Sequence, residues 1–358
     1  MRLCYGIVAA LLCLRAEANT LRLPTAKRAN NVTAAVPPPP GAYIPVPTFF
    51  KGAANATLGT TSSPLDLETQ AKYSVYLADA GITGFAIFGS TGEPIHVSSK
   101  ERVQVITATR KALDAAGHTN YPIMAGVVSQ LFEEVIDQLY EAQTAGATWG
   151  VCLVPGYFAV ATSQQGIIDW FTAVADASPL PILIYDYPTV SNNVLVTPST
   201  FAALAQHPNI VGTKLAIQDV SYHAQICSNP AIDYDTFHPY TGLGQLMLPA
   251  VAVGAFGALD VVGTSFPKTM VQLYKLSSIV GPTAAEQKQA RDLQWKVSTM
   301  GEYYNSYNIL GIKEAIYRLR GFGDRTGVRL PLLNTITDEQ WDAYESIISM
   351  MEETESNL

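Results

Sequence analysis

The sequence predicts an α/β fold, a (β/α)8 TIM barrel with a C-terminal helical extension, and three observations carry that prediction. From residue 41 onward, short apolar runs alternate with segments of helical pattern. Eight such units fit into the length that a barrel of this kind occupies. A lysine, Lys214, closes one of the apolar runs, where a barrel strand would present its side chain to the mouth.

In chain order, the first predicted strand is AYIPVPTF at 42–49, followed by LDLETQAKYSVYLADAG at 65–81, whose apolar residues recur at three and four spacing as on one helix face. GFAIF at 84–88 leads to a second helix at 98–117, and PIMAGV at 122–127 to a third at 131–146. WGVCLVP at 149–155 and PILIYDY at 181–187 read as the next strands, with a helix at 198–206 after the second of them. IVGTK at 210–214, FHPYTG at 237–242 and GAFGALDVV at 254–262 complete the eight. The competing architecture is a doubly wound sheet, but no G-x-G-x-x-G follows the first strand to support dinucleotide binding.

Composition bounds the function. The 358 residues are 48% hydrophobic and only 15% charged, which implies a large buried core. The net charge of −8, with no basic run beyond Lys27-Arg28, leaves no electrostatic footprint for nucleic acid. Cys4, Cys13, Cys152 and Cys227 have no C-x-x-C spacing, and His96, His118, His207, His223 and His238 are scattered, so neither a disulfide framework nor a metal site is expected.

The N-terminus reads separately. Met1-Arg2, the apolar run Leu3 to Leu14 and the small-residue ending Arg15-Ala16-Glu17-Ala18 follow the order of a secretory signal peptide. The run is too short to span a bilayer, so no membrane role is expected. Sequons at Asn31-Val32-Thr33 and Asn55-Ala56-Thr57 fit secretion. The basic bias of Arg2, Arg15, Arg22, Lys27 and Arg28 against Glu17 fits a mitochondrial transit peptide instead, and a mispredicted start would leave the protein cytoplasmic. Residues 29–40, ending in four prolines, read as an extended linker, so the expected division is a leader with linker at 1–40 and the barrel at 41–358.

The chemistry centres on PNIVGTKLAIQD at 208–219. An isolated V-G-T-K favours a lysine just past a strand end with its head in water. A desolvated lysine there loses its proton more readily, and the neutral amine can attack a ketone to form a Schiff base. Other strand ends bear on the choice. GFAIF is followed by Gly89-Ser90-Thr91-Gly92-Glu93, a glycine-flanked turn whose free N–H groups and hydroxyls suit a carboxylate. WGVCLVP is followed by Gly156-Tyr157-Phe158, and Tyr185 sits inside PILIYDYP.

Together GSTGE at 89–93, the Y-x-x-P of Tyr185 to Pro188 and GTK at 212–214 resemble the signature blocks of the dihydrodipicolinate synthase and N-acetylneuraminate lyase superfamily of class I aldolases. The likeness runs from about Gly41 to the C-terminal region and includes the glycine-rich stretch at 242–259 and GIKEAI at 311–316. GFG at 321–323 and RLPL at 329–332 are similar to the ending of the 4-hydroxy-2-oxoglutarate aldolase and 2-keto-3-deoxy-sugar-acid aldolase branches. The resemblance implies that Lys214 forms a Schiff base with pyruvate or another 2-oxo acid, and that Tyr185 is the general acid/base. It implies that Ser90 and Thr91 bind the carboxylate with Gly89 and Gly92 permitting its approach, and it places Leu259 among the substrate-binding residues. Tyr157 matches a tyrosine that the family inserts across a subunit interface, completing a relay with Thr91 as the hydroxyl link, which requires a dimer or tetramer. No organic cofactor and no metal is implied.

Departures narrow the choice. Val190 stands where dihydrodipicolinate synthases carry an arginine for the carboxylate of their second substrate, and the common Y-N becomes Tyr185-Asp186. Glu93 is expected to order its turn rather than act as an acid, and Tyr187 with Asn192-Asn193 to follow on the loop that reads the distal end of the substrate. The expected function is therefore a pyruvate-forming Schiff-base aldolase acting on a 4-hydroxy-2-oxo acid or a 2-keto-3-deoxy sugar acid. The rivals are a hydratase-aldolase or a dihydrodipicolinate-synthase-like condensing enzyme, and, outside enzymes, a silent barrel that binds a 2-oxo acid.

Overall fold

The structure, a computed structural model, describes residues 35–52, 63–332 and 334–358. The leader up to residue 34, with Cys4, Cys13 and the Asn31 sequon, and the Asn55 sequon lie outside the described residues.

Eight parallel strands close into a barrel in sequential order. They are β1 (Gly41–Val46), β2 (Gly84–Ile87), β3 (Ile123–Val127), β4 (Trp149–Leu153), β5 (Ile182–Asp186), β6 (Ile210–Leu215), β7 (His238–Thr241) and β8 (Gly257–Leu259). The helices between and after them are α1 (Leu67–Asp79), α2 (Ser99–Ala115), α3 (Phe132–Ala145), α4 (Gln164–Ala177), α5 (Pro198–Leu204), α6 (Val220–Cys227), α7 (Met247–Ala252) and α8 (Pro267–Ser277). A 37-residue segment, α9 (Ala284–Arg320), then leads to α10 (Asp338–Asp342) and α11 (Glu345–Ser356). The eighth strand is shorter than its sequence signal: of GAFGALDVV only three residues pair, because Gly254 and Gly257 take positive φ and bend the run.

Every residue of β1, β2, β3, β5 and β6 is buried, as expected of strands covered on both faces. Tyr43, Met124, Leu183, Tyr185, Tyr240 and Leu259 fill the barrel interior, while larger apolar layers sit between the strands and the helices.

The stretch read as a linker ends against the N-terminal mouth of the barrel. Trp149 Nε1 donates to the Val36 carbonyl at 2.8 Å, Tyr240 Oη to that of Pro38 at 2.6 Å, and Tyr43 Oη to that of Pro39 at 2.6 Å. Residues 35–39 join no strand ladder, so their carbonyls are left to accept from barrel side chains that would otherwise be buried unpaired.

Candidate active site

Lys214 lies near the C-terminal end of β6, in register with Tyr185 on β5 and Tyr240 on β7. Its side chain is 5% exposed. Among the described residues Nζ has no hydrogen bond or ion pair, and it stands 4.5 Å from the centroid of the Tyr185 ring. Burial disfavours its charged form and brings the amine down to about 8, with Asp260 partly opposing the shift. A substantial fraction of the amine is therefore neutral at mildly alkaline pH and available as a nucleophile.

The Tyr185 phenol is buried beside it, and burial raises its pKa above the ordinary range. Its hydroxyl lies 2.8 Å from Ser90 Oγ. Sequence reasoning gave the hydroxyl link to Thr91, but the hydroxyl in contact is that of Ser90. Ser90 to Gly92 form one turn of 3-10 helix, in which successive side chains point about 120° apart, so only one of the pair can face Tyr185. Thr91 lines the same cavity at another angle.

Gly89 and Gly92 do not line the cavity. At Gly89 an added Cβ would meet nothing within 4 Å, so space does not demand glycine there. The glycine that the turn does require is Gly126 on β3, where a Cβ would fall 2.2 Å from the Phe88 carbonyl oxygen. Phe88 itself takes φ +65°, a left-handed conformation uncommon for a bulky residue, directly before the turn. Arg102 holds this corner from α2, donating to the Gly126 carbonyl at 2.5 Å while its guanidinium lies over the Phe88 ring.

Glu93, also left-handed, ends the turn buried, with Oε1 2.5 Å from Lys313 Nζ of α9 and Oε2 3.0 Å from His96 Nδ1. Lys313 in turn donates to the Gly327 carbonyl, and Arg329 of the RLPL stretch donates to the His96 carbonyl and pairs with Glu101. The motifs GSTGE, GIKEAI and RLPL thus meet in one buried polar cluster.

Lys214, Tyr185, Ser90, Thr91 and Leu259 all border one cavity of about 590 Å³ at the C-terminal mouth, within the size range of small-molecule sites. Tyr187 and Val190 line it from the loop after β5, whereas Asn192 does not and donates instead to the Gly156 carbonyl. The outer wall comes from α9, whose helix breaks at Asn308 with φ +51° and ψ −138° and thereby presents Tyr304, Asn305 and Asn308. Gln218 and Gln245 complete a rim of neutral amides. Among the described residues no arginine or histidine lines this cavity.

Tyr157 stands apart. It is 74% exposed, packs edge to face on the exposed Phe158, and borders a second depression with Gln130 and Trp170. Within one chain it does not reach the Lys214 cavity.

Sequence reasoning missed Asp260. It is 5% exposed, faces the same cavity from just past β8, and has a raised pKa through burial. The signal was present, since an acid closing the apolar run AFGAL is as anomalous as a lysine closing IVGT. The amide rim was not legible, because its members come from three segments far apart in the chain.

Residues 53–351 match the dihydrodipicolinate synthetase family. The chain is 31% identical over 340 residues to the L-threo-3-deoxy-hexylosonate aldolase of Aspergillus niger, covering 89% of this chain and 97% of that protein. It is 29% identical to the Emericella nidulans protein named "probable 4-hydroxy-2-oxoglutarate aldolase, mitochondrial", covering 80% and 87%. In three dimensions it matches a crystal structure of a dihydrodipicolinate synthase family protein from Coccidioides immitis with a TM-score of 0.76 at 26% identity, covering 91% of this chain and all of that one.

Proposed function

The chain belongs to the dihydrodipicolinate synthetase family and is a carbon–carbon lyase of the aldolase type, and we propose that it cleaves a 2-keto-3-deoxy sugar acid through a Schiff base on Lys214. The observation that carries this reading is the unpaired, desolvated amine at the barrel mouth beside a buried tyrosine hydroxyl.

The neutral amine adds to the keto carbon of the substrate, and loss of water leaves a protonated imine. Removal of the 4-hydroxyl proton, with Tyr185 as the proton carrier and Ser90 as its hydroxyl partner, breaks the C3–C4 bond. The electron pair moves into the imine, giving an aldehyde and an enamine. Protonation at C3 and hydrolysis release pyruvate and restore the amine. Ser90 and Thr91 fit the substrate carboxylate, Leu259 and the backbone around it shape the pyruvate end, and Tyr185 supplies acid or base at each step.

The amide rim selects the aldehyde half. A 4-hydroxy-2-oxoglutarate carries a second carboxylate, which would meet uncharged amides and the acid Asp260 rather than an arginine. The hydroxyls of a sugar acid instead find donors and acceptors in Gln218, Gln245, Asn305 and Asn308. Val190, in the place of the arginine noted above, fits the same preference.

We infer that the exposed Tyr157-Phe158 pair seats against a second copy, as the family resemblance implies for Tyr157. The mitochondrial name of the Emericella relative favours the transit-peptide reading of the leader over secretion.

The deciding experiment is intact-mass analysis after incubation with pyruvate and borohydride, followed by aldehyde release assays. A wild-type adduct absent from Lys214→Ala, with faster condensation of pyruvate with glyceraldehyde than with glyoxylate, is expected. A folded wild type without an adduct overturns the Schiff-base reading, and preference for glyoxylate overturns the sugar-acid assignment.

A further inference from the structure

We propose that Asp260 is the counter-ion of Lys214, a buried carboxylate whose charge supports the cationic forms of that side chain, the ammonium and the iminium, and so acts as a positioning residue for the reaction. The inference rests on the Schiff-base reading of Lys214 above.

Asp260 stands just past β8, two strands round the barrel from Lys214, and both border the same cavity. Its carboxylate is fixed rather than free, for Oδ1 accepts the Val262 N–H at 2.8 Å. The two groups share a wall made by the segment after β7. A Cβ on Gly244 would lie 2.4 Å from Asp260 Oδ1, and one on Gly242 would lie 3.1 Å from Lys214 Cε. Glycine at both places leaves room for the carboxylate and for the lysine stem beside that segment.

The backbone N–H groups of Gly244, Val261 and Val262 favour the charged form of Asp260, but among the described residues no other charged side chain lines the cavity to balance either group. Among the described residues Asp260 forms no ion pair, and no arginine or histidine lines the cavity. The other titratable groups around Lys214 are phenols. They are Tyr185 on β5, Tyr187 after it, Tyr240 on β7 and Tyr304 on α9, and burial pushes all four up so that they stay protonated. Asp260 is therefore the one acid in position to be ionised opposite Lys214 among the described residues, and its charge opposes the desolvation of the lysine. The two do not close into an ion pair, which would hold the lysine as an ammonium and withdraw it from attack. At a separation the carboxylate favours positive charge on the lysine nitrogen without occupying it.

The test is the pH dependence of the borohydride-trapped pyruvate adduct in the full chain. In wild type the trapping yield should rise through a midpoint near the Lys214 value of about 8. D260N keeps an acceptor for Val262 but loses the charge, so its midpoint should move about one pH unit lower and its kcat should fall about tenfold. D260E should restore the midpoint at least in part. An unmoved midpoint in folded D260N overturns the proposal. Should D260N not fold, K214M decides it by reciprocity: 13C titration should show one aspartate carboxyl raised on loss of the cation, and an unchanged set of carboxyls overturns it. A wild type that forms no adduct sinks the Schiff-base reading itself, whereas an adduct with an unmoved midpoint sinks only the counter-ion.

Discussion

A lysine amine held without a partner in the barrel interior works against folding. Its native pKa, about 8, lies below the unfolded value near 10.5, so below pH 8 both states are protonated and the native state bears the full desolvation penalty. Between those values the unfolded chain binds more protons, and stability rises with pH. Lys214→Met should therefore stabilise the protein at pH 7 by up to about 3 kcal/mol, while abolishing trapping, and the gain should shrink by pH 10 in urea titrations. Asp186 presents the opposite sign. Tyr222 Oη lies 2.6 Å from Asp186 Oδ2 and also reaches the Val196 carbonyl. One hydroxyl proton cannot serve both acceptors, so a protonated Asp186 that donates to Tyr222 satisfies the group, and burial raises its pKa to about 7. The unfolded carboxyl titrates near 4, so stability falls as pH rises from 4 to 7 and stays reduced above. Asp186→Asn should remove that fall, gaining up to about 4 kcal/mol at pH 8 and little at pH 4, as read by denaturation at the two values.

Among the elements, α9 does the most to define the site from outside the barrel. Its N-terminal part supplies the cavity wall, the break at Asn308 turns the helix, and its C-terminal part places Lys313 under the GSTGE turn. That ion pair is nearly inaccessible to water, with side-chain exposures of 7% and 3%. Removing one partner strands the other charge, and Lys313 is further loaded by Arg329 nearby. Glu93→Gln should cost about 3–5 kcal/mol, and Glu93→Gln with Lys313→Met together less than the sum of the singles, as a double-mutant cycle of thermal melts would show. Additive losses would mean that the pair contributes nothing beyond its separate side chains. The same lesion should also lower kcat, because the turn that carries Ser90 is tied down through Glu93.

For the whole molecule, the two mouths of the barrel have different tasks. The C-terminal mouth holds the cavity, and the N-terminal mouth is closed by residues 36–39, whose carbonyls accept from Trp149, His238, Tyr240 and Tyr43. A chain started at Gly41 loses these acceptors. It should be destabilised by on the order of 3 kcal/mol relative to one started at residue 35, read as a lower Tm at unchanged adduct stoichiometry. Equal melting temperatures would mean that water replaces the carbonyls at no loss.

The alternation of apolar runs and helical spacing was enough to read the barrel from the sequence, because strand burial on both faces and the 3.6-residue helix period are local properties of the chain. Short motifs likewise marked Lys214, Tyr185 and the Ser90-Thr91 turn, since each lies at or near a strand end. What tertiary structure alone decided are relations between segments far apart. Ser90 rather than Thr91 meets Tyr185 because of the phase of one 3-10 turn, which sends the Ser90 hydroxyl to the Tyr185 phenol. Asp260 reaches the Lys214 cavity only because the sheet closes, and the amide rim gains Asn305 and Asn308 only because α9 breaks over the mouth. Residues 36–39 pack at the barrel floor, where the sequence read a linker, because their carbonyls find donors from β1, β4 and β7, which no local pattern in a proline run encodes.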